Sequence, residues 1–70
     1  MIQMRVGKKI KFRMYNLPEK VWNDYYVLSS DRQSVVFSSL PPRELQYQAE
    51  HVRYSRQAVK WGVEQGDIKA

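Results

Sequence analysis

The clearest short-range pattern in the chain is Lys9–Tyr15, where Lys9, Lys11 and Arg13 alternate with Ile10, Phe12 and Met14. Successive side chains of a strand point to opposite faces. The run therefore predicts a half-buried strand with an apolar inner face and a cationic outer face. Further along, Leu45, Ala49, Val52, Val59 and Val63 recur at helical spacing. At ~100° per residue they fall within one arc of an α-helix. Tyr47, His51, Tyr54, Ala58 and Trp61 repeat the rhythm on roughly the opposite side. Together the two stripes predict one long C-terminal helix over Pro41–Gly66. Pro41-Pro42 would start it, Glu44 would complement its positive end and Gly66 would stop it, leaving Asp67–Ala70 as a short tail. The aliphatic stripe would cover a sheet, and the aromatic stripe would need a second partner.

Between these segments the pattern is less one-sided. Met1–Val6 reads as a frayed end or a short strand, and Gly7-Lys8 as a turn. Asn16-Leu17-Pro18-Glu19 reads as a helix start, with Asn16 as cap, Pro18 in the first turn and Glu19 at a capping-box position. Two continuations are open. A helix over 17–29 would place Leu17, Val21, Trp22, Tyr25 and Leu28 on one face. Alternatively, Tyr25–Ser29 and Ser34–Ser39 form a hairpin around a polar turn, and this reading is preferred because the turn has hairpin length. The predicted fold is α+β: a small antiparallel sheet of two or three strands, a short helix and one long C-terminal helix. The 70 residues make a single domain, 1–70, with 1–8 as a basic arm that frays and 67–70 as a tail.

Composition narrows the chemistry. With no cysteine and one histidine, His51, the chain offers neither a disulfide nor a cysteine or histidine metal site. No cofactor is expected. Apolar runs are far shorter than the ~20 residues that span a bilayer, and no signal-peptide core is visible. A soluble cytoplasmic protein with no membrane partner is the expectation. A domain this small gains little from its own core, so a homodimer would add useful burial.

The formal charge of +5 is uneven. Arg5, Lys8, Lys9, Lys11 and Arg13 all fall in the first fourteen residues, with no acid among them; the remaining bases and acids balance. This asymmetry points to a polyanion, DNA more than RNA. Lys9, Lys11 and Arg13 would contact phosphates or base edges from one strand face, and a two-stranded ribbon fits a major groove. Arg53, Arg56 and Lys60 would extend the basic surface. Arg56 interrupts the aliphatic stripe, so the alternative is that it reaches out at the edge of the sheet. Tyr47, His51, Tyr54, Ala58 and Trp61 form the expected partner or dimer interface, aromatic anchors being common there. The same rings could pack beneath residues 17–28 or stack on unpaired bases. No nucleophile motif, phosphate-binding glycine loop or paired carboxylates emerge, and an enzyme is not expected. The expected function is a small basic nucleic-acid-binding regulator. The alternative is an adaptor or inhibitor of the mobile-element type, docking on an acidic protein through the aromatic stripe.

The run KIKFRMYNLPEKVWNDYYVLSS resembles the start of a ribbon-helix-helix repressor, with its alternating basic strand and proline-initiated helix. The resemblance implies two chains pairing their strands, with Lys9, Lys11 and Arg13 reading a groove. The second helix of that family would begin near Ser34, where this chain reads SVVFSS and then Pro41-Pro42.

Overall fold

The alternation at the N-terminal end does form a strand, β1 (Lys9–Met14), the first of five among the described residues. The computed structural model describes residues 3–14 and 21–70. Tyr15 and the expected helix start at 16–19 lie outside the described residues. The four further strands are β2 (Val21–Ser30), β3 (Ser34–Ser38), β4 (His51–Ser55) and β5 (Ile68–Lys69). One helix, α1 (Arg56–Gln65), lies between β4 and β5. All five strands join one antiparallel sheet in the order β4-β3-β2-β1-β5.

Ile10, Phe12, Tyr25, Val27, Val35 and Phe37 fill the inner face and are buried. The Phe12 ring meets Tyr25 and Phe37 edge-on, at centroid distances of 5.3 and 4.8 Å. Such edge-to-face contacts add to the burial of apolar area. Burial, and then the charge of Glu50, push the Tyr25 phenol above its ordinary pKa. A bulge at Leu28 shifts the phase of β2: Val27 faces Phe37, but the next pairs are Ser29 with Val36 and Ser30 with Val35, while β3 keeps Val35 and Phe37 on the inner face by plain alternation. The helix carries the chain from one edge of the sheet to the other across this face, contributing Val59 and partly covered Val63.

The preferred hairpin is present, with its first strand beginning at Val21 rather than Tyr25. The turn before β1 is present too, closed by the Lys8 amide on the Arg5 carbonyl at 3.0 Å. Gly66 ends the helix in the left-handed region, φ 79°, where glycine carries no Cβ penalty.

The rest of the expected architecture is overturned: the sheet has five strands rather than two or three, and the long C-terminal helix does not form. Three local causes account for this. Pro41-Pro42 makes a β-turn, the Glu44 amide donating to the Pro41 carbonyl at 2.9 Å, with proline at a position its fixed φ suits. Gln46 then ties the loop 39–50 together. Its Oε1 accepts from the Ser38 hydroxyl at 2.9 Å, and its Nε2 donates to the Pro41 carbonyl at 2.6 Å. Finally, His51–Ser55 is a strand, with Val52 and Tyr54 paired to inward Phe37 and Val35. The helix begins only after Ser55, whose Oγ accepts from the Ala58 amide at 3.0 Å. The expected tail is corrected as well, since Ile68 and Lys69 pair with Phe12 and Lys11 of β1. The ribbon-helix-helix resemblance fails on the same facts. Residues 21–30 are strand, and β1 is flanked by β2 and, at Lys11 and Phe12, by β5 of the same chain.

Candidate nucleic-acid interface

The face of the sheet opposite the core carries the basic residues of β1. Lys9, Lys11 and Arg13 alternate with buried Ile10 and Phe12, so the outer face follows from the strand period. Pairing register sets what each cation meets: Lys9 stands opposite Tyr26, Lys11 opposite Asp24 and Arg13 opposite Trp22 on β2. On the other side of β1, Lys69 of β5 stands opposite Lys11. Asp67, just before β5, stands beside Arg13, whose amide donates to its carbonyl at 2.8 Å. Among the described residues, four cations and two acids therefore share this part of the sheet.

Trp22 organises one end of the group. The Arg13 guanidinium carbon lies 4.7 Å from the indole centroid and the Lys69 ammonium 4.1 Å from it. The negative face of an aromatic ring attracts cations, so one indole holds two positive groups near each other. Among the described residues neither Arg13 nor Lys69 makes an ion pair. Lys9 does, its Nζ standing 3.4 Å from Asp24 Oδ2, with both side chains about half exposed. An exposed pair of this kind contributes little to stability. At the Tyr26 end the loop 39–50 bounds the face, covering Ser38, which pairs with Tyr26.

The other sequence-predicted residues are dispersed. Arg53 lies on the outer face of β4, opposite Val36. Arg5 is exposed in the turn before β1, and Lys8 is half-buried there. Arg56 is the first helical residue, exposed rather than set in an aliphatic stripe. Its guanidinium donates to the Asp31 carbonyl and the Ser30 hydroxyl, tying the helix to the β2–β3 turn. Lys60 and Arg56 line a groove of about 580 Å³ with Met4, Val35, Val59 and Val63, on the helix side of the molecule and away from Lys9, Lys11 and Arg13.

Residues 47, 51, 54, 58 and 61 do not share a helix. Tyr47 is 81% exposed on a short 3-10 turn (Gln46–Gln48). His51 faces outward on β4, Nε2 3.1 Å from Gln46 Oε1. Tyr54 turns inward on the same strand. Ala58 and Trp61 are exposed on α1, Trp61 at 61%.

Trp22, Asp24, Tyr26 and Lys69 did not emerge from the sequence as site residues. The signal was present: Trp22, Asp24 and Tyr26 alternate with Asn23, Tyr25 and Val27. The proline-initiated pattern just before them competes with that alternation, and a two-residue strand such as Ile68–Lys69 has no periodicity to read.

Among the described residues no group of three His, Cys, Asp or Glu side chains could hold a metal ion. No helix among them is long and apolar enough to cross a membrane. The chain matches no protein-family model, no curated protein and no solved structure.

Proposed function

We propose that the protein binds nucleic acid, contacting phosphates through the outer face of β1 and β5. The observation that carries this reading is the row Lys9, Lys11, Arg13 and Lys69 on one sheet face, with Arg13 and Lys69 held against Trp22 and with Asp24 and Asp67 as neighbouring acids. Lysine and arginine release condensed counterions when they neutralise phosphates, which makes binding fall steeply with salt. The expected dimer rested on the long helix and its aromatic stripe; with that helix replaced, the proposal is made for the single chain. The fold also changes the docking mode. A free two-stranded ribbon could enter a major groove, but β1 and β2 are interior strands of a five-stranded sheet. At ~4.8 Å per strand the sheet is wider than a groove of about 12 Å. The face must lie against its ligand.

A salt titration tests the reading. The parent should bind oligonucleotides with a strongly negative slope of log affinity against log salt. The triple substitution Lys9→Ala, Lys11→Ala, Arg13→Ala should flatten that slope by about two units. Equal slopes and affinities for the two proteins would overturn the proposal.

A further inference from the structure

We infer that the ligand of this face is a single-stranded nucleic acid, whose bases stack on Trp22 and Tyr26 while its phosphates follow β1. This rests on the reading just given and narrows it to a substrate class. The register supplies the argument. Trp22 and Tyr26 lie on the same face of β2, and each stands opposite a cation of β1, Arg13 and Lys9 respectively. The two ring-plus-cation units are separated by the Lys11–Asp24 pair. At ~3.3 Å per residue, alternate cations on β1 recur every ~6.6 Å and the two rings lie ~13 Å apart. A flexible single strand can place a base on each ring and a phosphate beside each cation. A duplex cannot, because its bases are paired and stacked inside.

The state of Trp22 supports this. The indole is partly exposed, and the exposed Lys69 ammonium sits against it. Lys69 can turn on its flexible stem to a phosphate while a base takes its place on the indole. Asp24 stands between the two rings and pairs with Lys9, so a phosphate that reaches Lys9 competes with that carboxylate. A base presents N–H donors to that carboxylate instead.

The test uses the full chain carrying Trp61→Phe, so that Trp22 is its one indole. The probes are a labelled twelve-base mixed DNA strand, the RNA strand of the same sequence, the DNA duplex and polyglutamate of matched charge. The single strands should quench Trp22 fluorescence and bind at least ten-fold tighter than the duplex. Trp22→Leu should weaken single-strand binding roughly five-fold or more with the salt slope unchanged, because it removes stacking and not charge. Tyr26→Leu should weaken it independently, and Asp24→Asn should strengthen it. The DNA and RNA arms identify which strand is preferred; either preference supports the inference. Equal affinity for duplex and single strand, or for polyglutamate, with no effect of Trp22→Leu, would overturn it. If the triple Lys/Arg variant still lost binding in that case, the proposed phosphate contacts would survive alone. No binding to any polynucleotide at low salt would remove both.

Discussion

The rings of Phe12 and Tyr54 lie stacked, 5.8 Å between centroids and 23° between planes, although two strands separate β1 from β4 in the sheet. In a flat sheet those strands would be ~14 Å apart. The two rings therefore meet across the inner face, spanning β2 and β3, and Tyr54 serves as a clasp. It also stands 6.2 Å from Phe37.

Replacing Tyr54 by alanine opens that clasp. Loss of the ring contacts and their buried area should cost about 1–3 kcal/mol. For a domain of this size, each kcal/mol lowers Tm by roughly 4–8 °C. Thermal unfolding followed by circular dichroism checks this, and an unchanged Tm would mean the contact contributes nothing.

Gly62 is the point where the helix touches β5. A Cβ there would stand 2.5 Å from Ile68 Cδ1 and 2.9 Å from Cγ1. Gly62→Ala should gain helix propensity of about 1 kcal/mol but lose more to overpacking, commonly 1–3 kcal/mol. We expect net destabilisation in urea unfolding. We expect Gly62→Ala with Ile68→Val to recover part of it, since the valine lacks Cδ1.

Ser55 ends β4 and caps α1 in the same residue. Removing its hydroxyl by Ser55→Ala leaves the Ala58 amide without its partner. The cost should be about 1 kcal/mol, recovered by Ser55→Asp or Ser55→Thr. Denaturant midpoints of the three variants decide it.

Asp31 holds the β2–β3 turn by accepting from the Ser34 and Gln33 amides at 2.7 and 2.8 Å. Those hydrogen bonds, Ser34 first, hold its carboxyl below the ordinary aspartate range. A depressed folded value means the unfolded chain takes up the proton first. The contribution is complete above the ordinary aspartate value near 3.9. It disappears as pH falls through the lower folded value. The stability gap between parent and Asp31→Ala should accordingly be constant near neutrality and shrink in acid. A gap that grew on acidification would contradict this.

Where the sequence was most legible, one period operated without competition. Lys9–Met14 alternates with no helical period within it, and its cationic face is present in the structure. The hairpin of Tyr25–Ser29 with Ser34–Ser39 was readable from its polar turn, although a helical reading of 17–29 competed with it. Residues 41–66 misled because two elements with different periods abut there. Val52 and Tyr54 belong to an alternation only five residues long, while Val59 and Val63 belong to a genuine helix. Joined end to end, they mimic a single helical stripe. What decided the outcome was side-chain capture of backbone and loop groups, by Gln46 and by Ser55. Neither leaves a hydrophobic signature. Half of the candidate site was legible: the cations of β1 were identified, whereas their aromatic partners required the register.

The pairing of β5 with β1 joins segments with nearly the whole chain between them. Contacts so distant in sequence are slow to form, and domains dominated by them fold in milliseconds to seconds. This closure also delivers Lys69 to Trp22. The indole thus acquires its second cation only when β5 has docked, so a stopped-flow trace of Trp22 emission in the Trp61→Phe chain would time the closure of the sheet.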